Sequence, residues 1–180
     1  MEQPLNHLHP SEQRWFAVRT RSKSEKLVQR MLEKKGVTAW LPLQKIMRRY
    51  TRSTRLTERP LLNAYVFVKI VTAQYVSVLE TEHVAGFVRF SKDLLSVPQW
   101  EIDVLKRITL EEGLEVEVVP GGLTEGDWVE IAAGNLMGLR GRVVKVEGKR
   151  KFQIELQHLF HSLLITVDAA FLEKTGGIGF

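Results

Sequence analysis

A short apolar run from Ala64 to Ile70 constrains the fold of this chain more than any other stretch. Its β-branched and aromatic residues, which follow a polar turn sequence, predict a β-strand. Side chains alternate along a strand, so Val66 and Val68 share one face while Tyr65 and Phe67 share the other. The second face therefore carries two aromatic rings. Either another element covers this face, or it is exposed as an apolar binding surface.

The composition is that of a globular protein, with 44% hydrophobic and 26% charged residues. A length of 180 residues accommodates one domain or two small ones. The sequence contains no cysteine, which excludes disulfides and thiolate metal sites. No apolar run resembles a signal peptide or reaches membrane-spanning length. We therefore expect a cytoplasmic protein with no membrane association.

Basic residues are concentrated in the first third of the chain. Residues 14–59 contain 14 basic and 3 acidic residues, whereas residues 117–180 contain 7 basic and 8 acidic residues. A single-sign field of this size favours a polyanionic partner, and nucleic acid is the natural candidate. The alternative is a basic face that only contacts solvent.

The pattern of residues 14–112 predicts an α+β domain in which helices pack on an antiparallel sheet. Residues 1–13 have no hydrophobic period and are expected to form a disordered tail. Glycine stops the first helix at Gly36. The predicted order is a strand from residue 15, a basic helix, a strand at 37–41, a basic hairpin at 45–59, a strand at 64–70, a helix at 72–82, a strand at 84–90 and a helix at 99–112.

Residues 125–175 change to an all-β pattern. Short strands are predicted at 128–131, 142–147, 152–156 and 163–167, with turns between them, which suits a small SH3-like barrel. The glycine- and proline-containing stretch at 113–124 is predicted to be a flexible linker, and residues 176–180 a tail.

Catalytic and metal-binding arrangements find little support in the sequence. It has no nucleophile elbow and no phosphate-cradling glycine loop. His7 and His9 lack further ligands nearby, and Glu155, His158 and His161 do not have the spacing of a metal site. We therefore expect no enzymatic activity, no cofactor and no metal.

Glycine spacing is the most specific feature of the second domain, because the glycines stand where the backbone must turn tightly between two strands. This segment resembles a KOW motif. With the first domain, the chain resembles the NusG-like family of transcription elongation and antitermination factors over residues 14–175. The resemblance is carried by Gly126, Gly134, Gly138 and Gly141, by the opening strand 14–18, by the central strand 60–68 and by the later strand 84–88.

The resemblance implies that the first domain (an NGN domain) lays an apolar depression on the clamp helices of the largest subunit of RNA polymerase. The residues implied for this contact are Tyr65, Phe67, Trp15, Phe16 and Phe87. The basic helix and hairpin would face upstream or non-template DNA. The residues implied there are Arg19, Arg21, Lys23, Lys26, Arg48, Arg49 and Arg52.

A second partner is implied for the barrel, either a termination factor or a small-subunit ribosomal protein. Phe160 aligns with the aromatic residue of that contact, or alternatively plugs the end of the barrel. The chain carries Gly134-Asn135-Leu136 where the general factor usually has Gly-Pro-Phe. This departure favours the operon-specific RfaH-like and UpxY-like antiterminators associated with surface-polysaccharide operons.

Two other functions stay open on the sequence alone. One is a general NusG housekeeping factor. The other is a ribosomal or RNA-binding protein, since KOW barrels also occur there, although the near-neutral charge of the barrel counts against direct RNA binding. In either elongation-factor role we expect a monomer that suppresses pausing and termination.

Overall fold

The computed structural model describes residues 4–50, 53–120, 126–146 and 149–175, with backbone only at 48–50, 53–55, 120, 146, 149 and 150. The described strands are β1 Arg14–Thr20, β2 Thr38–Trp40, β3 Leu43–Tyr50, β4 Ser53–Pro60, β5 Tyr65–Ile70, β6 Val84–Phe87, β7 Val116–Pro120, β8 Asp127–Ile131, β9 Arg140–Val146, β10 Lys149–Leu156, β11 His161–Ile165 and β12 Leu172–Lys174. The helices are α1 Glu25–Lys34, α2 Tyr75–Leu79 and α3 Gln99–Leu110.

The chain divides into two compact units. The first comprises Met1–Leu43 and Pro60–Asp103, and the second comprises Gln44–Arg59 and Val104–Phe180. The predicted α+β domain followed by an all-β domain is confirmed. The division differs from the predicted domain boundaries because the β3–β4 hairpin and the second half of α3 group with the C-terminal strands.

In the first unit, four antiparallel strands form a sheet in the order β2-β5-β1-β6. One face of this sheet, including Val66 and Val68, packs on Val28 and Leu32 of α1. Burying an aliphatic side chain of this size contributes about 1.5–3 kcal/mol, so this apolar cluster holds α1 on the sheet. Leu27, next to Val28 on α1, is exposed and does not belong to this cluster.

The C-terminal strands form one six-stranded antiparallel sheet in the order β12-β8-β9-β10-β11-β7. We call these strands the C-terminal β domain. Its inner face buries Val129, Ile131, Ile154, Leu163 and Ile165. Within the described residues, the two outer strands β12 and β7 do not pair with each other, so the sheet is not closed into the predicted barrel by hydrogen bonds.

The stretch predicted as a linker is partly a strand. Val116–Pro120 forms β7 and pairs with β11, with Val116 opposite Ile165. The alternation of Glu and Val in this stretch is a period-two signal that the neighbouring glycines obscured. The prediction of a flexible linker across 113–124 is therefore wrong for β7.

A smaller difference concerns the helix predicted after β5. The predicted helix at 72–82 is a 3-10 turn at Thr72–Gln74 followed by the short α2. The predicted basic hairpin is present as β3 and β4. In the second unit, a hydrogen bond of 2.9 Å between Lys45 Nζ and Glu112 Oε1 fixes one edge of the hairpin and raises the pKa of the Lys45 ammonium.

Candidate functional site

The face of the first sheet opposite α1 is built by strand register. β1 and β5 are antiparallel, with Arg19 opposite Tyr65 and Ala17 opposite Phe67. Trp40 of β2 also lies opposite Phe67. Because opposed residues point to the same side of a sheet, the rings gather on one face. We call this surface the aromatic face, and its rings are Trp15, Trp40, Tyr65 and Phe67.

The aromatic face is covered. Tyr65 is 6% exposed, and Phe67 is fully buried. The rings of Trp40 and Phe67 lie with their centroids 5.6 Å apart, and Trp15 Nε1 donates a hydrogen bond of 3.1 Å to Gln99 Oε1 at the start of α3. Of the two alternatives that the sequence left open, the structure thus has the covered face.

Two of the implied polymerase-contact residues lie on the other side of the sheet. Phe16 and Phe87 belong to the apolar cluster beneath α1, and their rings meet edge to face at 6.1 Å between centroids. Phe87 also stacks on Tyr75 at 4.8 Å. The grouping of Phe16 and Phe87 with Tyr65 is therefore corrected, because alternation along β1 directs Phe16 away from its neighbour Trp15.

Sequence reasoning missed Trp40 as a member of the aromatic face. The alternation of the short strand β2 was readable, but its register against β5 was not. That register brings Trp40 opposite Phe67.

Cations border the aromatic face. The guanidinium carbon of Arg19 lies 5.8 Å from the centroid of the Tyr65 ring, and the Lys69 ammonium lies 5.9 Å from that of Trp15. Cations at this range are attracted to the negative face of an aromatic ring. The aromatic face is therefore edged by positive charge, and Arg19 itself is exposed.

The other cations predicted for the first unit cluster at the N-terminal end of α1. Arg21, Lys23 and Lys26 are exposed there, directly after β1. Lys23 and Lys26 line an open cavity of about 480 Å³, together with Asn63. The structure thus brings four of the predicted nucleic-acid-binding residues to one region: Arg19, Arg21, Lys23 and Lys26.

The remaining predicted cations belong to the hairpin. Arg48 and Arg49 lie on the backbone of β3, and their side chains are outside what is described. Arg52 lies outside the described residues. Their role in nucleic-acid binding stays a prediction.

Phe160 follows the 3-10 turn Gln157–Leu159 and precedes β11. Its backbone has a φ of 55°, in the left-handed region, and its side chain is 40% exposed. The residue that is buried at this turn is the preceding Leu159. Phe160 is thus partly exposed beside the buried Leu159, and its role in partner binding stays a prediction.

Within the described ranges, no group of three or more His, Asp or Glu side chains is arranged to hold a metal ion. No helix in the described part of the chain is long and apolar enough to cross a membrane.

Comparison with known proteins identifies the family. A family model described as "Transcription termination factor nusG" matches residues 13–106, just over half of the chain. The chain belongs to the NusG family. The matched residues contain the aromatic face and the basic end of α1, so both surfaces lie in the part of the chain that defines this family.

Relatives in the NusG family match over most of the chain. The transcription termination/antitermination protein NusG of Streptococcus pyogenes serotype M3 is 26% identical over 147 residues, which cover 76% of this chain and 82% of that protein. The serotype M1 protein of the same description has the same identity and coverage. The structure "Domain interaction in Thermotoga maritima NusG" covers 92% of this chain and 98% of its own, with a TM-score of 0.54 and 22% identity. The predicted NusG-like family and two-part fold are confirmed.

Proposed function

We propose that this NusG-family chain is a transcription elongation factor that binds the clamp helices of RNA polymerase through the aromatic face. The basic residues around α1 and on the β3–β4 hairpin contact upstream or non-template DNA. The observation that supports the proposal is that residues 13–106, which match the family, contain both the aromatic face and a cationic cluster that begins with Arg19 on β1 and continues to the start of α1.

The chemistry of such a factor is binding rather than bond formation. Aromatic rings in a groove supply large contact area to an apolar helix face, and a few of them carry most of the binding free energy. Cations around α1 pair with phosphates and position the nucleic acid without reading its sequence. Holding polymerase and DNA together in this way disfavours the rearrangements that lead to pausing.

Burial of the aromatic face gives the binding step a conformational component. Tyr65 and Phe67 contact a partner only after the face becomes exposed, since both are covered in this structure. The apparent dissociation constant then equals the intrinsic one divided by the fraction of molecules with an exposed face. Any event that uncovers the face raises the affinity for polymerase.

We further propose that the factor acts in operon-specific antitermination, for example in surface-polysaccharide operons. Support comes from the turn between β8 and β9, where Leu136 is buried and Asn135 replaces the usual proline. This turn presents Met137 rather than an aromatic ring, which disfavours recruitment of a termination factor. Phe160 stays exposed for a ribosomal protein.

The test is in vitro transcription by RNA polymerase on a template with a defined pause and an intrinsic terminator. The full chain should shorten the pause and increase readthrough of the terminator. An unchanged pause lifetime with saturating protein would contradict the elongation-factor proposal.

Genome-wide occupancy separates the two branches of the proposal. Signal confined to one or a few long operons supports operon-specific antitermination. Occupancy on nearly every transcribed gene would instead identify a general factor and overturn the operon-specific proposal.

A further inference from the structure

The C-terminal β domain contains a cavity that the proposed function does not use. Its volume is about 790 Å³. Its apolar lining includes Val129, Val143, Phe152 and Leu172. Ligand sites in proteins commonly have volumes of about 300–1,000 Å³ and mainly apolar walls with a few polar groups. The cavity has the size and lining of such a site.

This cavity is distant from Phe160, the residue implied for partner binding. Lys151, near the start of β10, lines the cavity, whereas Phe160 follows the other end of the same strand. Five residues of a strand from Lys151 to Leu156 span roughly 17 Å. A ligand in the cavity would therefore occupy a different end of the sheet from a partner at Phe160.

Lysines surround the cavity. Lys174 pairs with Asp127 at 2.9 Å, and both side chains are largely exposed. Lys151 pairs with Glu117 at 2.6 Å. Lys145 is exposed and makes no ion pair within the described part of the chain. Among the described lining residues, three ammonium groups thus face one carboxylate, that of Asp127.

The cavity lies within a positive field that the total charge of the domain conceals. Residues 140–151 contain six basic residues and one acidic residue, whereas the rest of 117–180 contains one basic and seven acidic residues. Lys145 and Arg150 are directly opposed in the β9–β10 ladder.

We propose that this cavity binds an acidic peptide segment of a partner protein, which inserts an apolar side chain against the aliphatic wall that includes Val143 and Leu172. Flanking carboxylates of the peptide pair with Lys145 and with Lys174. The ion pair between Lys174 and Asp127 breaks when the peptide binds. Lysine is a mobile point charge, which suits carboxylates that approach at varied angles.

A peptide fits these observations better than a nucleic acid. Binding of unpaired bases relies on accessible rings for stacking. The one ring in the lining is that of Phe152, which is 1% exposed and belongs to the core of the sheet. The apolar surface that the cavity offers is aliphatic, as an inserted leucine or phenylalanine side chain requires.

The first measurement uses fluorescence polarisation of the full chain with a labelled acidic peptide, EDLFDE. Two control peptides separate the contributions: QNLFNQ lacks the charges, and EDSSDE lacks the apolar side chains. Binding of EDLFDE that exceeds that of both controls and weakens with salt supports the proposal. Equal binding of QNLFNQ, or no binding of EDLFDE, would overturn it.

The second measurement places the peptide on the structure. Methyl NMR signals of Val129, Val143 and Leu172 should shift on addition of EDLFDE, and those near Phe160 should not. Shifts confined to the Phe160 end, or tighter binding of single-stranded oligothymidylate at the same methyl groups, would overturn the assignment.

Charge reversal supplies the matched variants. Lys145→Glu should weaken EDLFDE binding about fivefold, the size expected for losing an exposed charge pair. Lys92→Glu makes the same charge change at an exposed residue outside the C-terminal β domain and should leave binding unchanged. An equal effect of both variants would indicate that the peptide binds through non-specific charge attraction, and it would overturn the proposed site. None of these measurements depends on polymerase.

Discussion

The Oε1 atom of Glu25 accepts a hydrogen bond of 2.7 Å from the backbone N–H of Ala64. Glu25 is the first residue of α1 and is buried, and Ala64 has a φ of 62° just before β5 begins. The bond therefore ties the basic end of α1 to the strand that carries Tyr65 and Phe67. It links the two surfaces on which the proposed function rests.

Replacing Glu25 tests this link. Glu25→Ala leaves the N–H of Ala64 without its acceptor and should lower the free energy of unfolding by about 1–3 kcal/mol. Glu25→Gln keeps an acceptor oxygen and should cost less. Urea denaturation of the wild-type protein and the two variants measures the free energy of unfolding of each. Equal destabilisation by Ala and Gln would mean that the hydrogen bond is not what holds Ala64.

The aromatic face cannot be tested by truncating its buried rings. Phe67→Ala removes a fully buried ring and should cost about 3–5 kcal/mol of stability, so loss of binding would follow from unfolding. Truncation of Phe67 therefore cannot separate the loss of a polymerase contact from the loss of the fold.

Arg19→Ala is the better probe of the aromatic face, because Arg19 is exposed and borders Tyr65. We expect weaker binding to RNA polymerase, because Arg19 borders the proposed contact, and a loss in the free energy of unfolding of no more than about 0.5–1 kcal/mol, the size of an exposed cation–π contact. Biolayer interferometry with core polymerase measures the dissociation constant, and Lys92→Ala is the matched control. Wild-type affinity in Arg19→Ala would place the polymerase contact elsewhere.

Salt dependence tests the cations at the start of α1. Replacing both Lys23 and Lys26 by Ala should lower the slope of log K against log salt by about 1.4 for single-stranded DNA, since each phosphate contact contributes about 0.7. Lys34→Ala is the control on the same helix, roughly 12 Å further along from Lys26. If Lys34→Ala alone lowers the slope by half as much as the double replacement of Lys23 and Lys26, the DNA contact is not localised at the start of the helix.

Gly141 should be irreplaceable in the C-terminal β domain. A Cβ atom at this position would lie 2.2 Å from the backbone oxygen of Gln153 and 2.8 Å from the Phe152 ring. Gly141→Ala therefore forces β9 and β10 apart and should unfold or strongly destabilise the domain. In Gly134→Ala the Cβ meets nothing within 4 Å at a φ of +80°, so the cost should be about 1–2 kcal/mol of backbone strain. Thermal unfolding of both variants compares the two effects, and equal losses would contradict the close approach.

The sequence predicted the order of elements in the first unit and the family, because alternation and helical periodicity are local properties. It did not predict whether Tyr65 and Phe67 are covered. The alternation of side chains assigns residues to the two faces of a strand, but it does not indicate which element packs on each face. The same limit explains Phe16 and Phe87, whose placement depends on which face of β1 the helices occupy. Strand β7 was missed because nearby glycines outweighed the alternation of Val116 and Val118.

Phe160 combines exposure with a left-handed backbone, which a non-glycine residue adopts at a cost. Phe160→Gly should therefore change the stability of the domain little, because relief of the left-handed backbone, worth about 1–2 kcal/mol, offsets the apolar burial lost with the partly exposed ring. If the ring contacts a ribosomal protein, as proposed, this variant loses that binding without losing its fold. The matched control is Met137→Gly, which removes an exposed side chain from the β8–β9 turn. Isothermal titration with the purified small-subunit protein measures binding, and unchanged affinity in Phe160→Gly would exclude Phe160 from the contact.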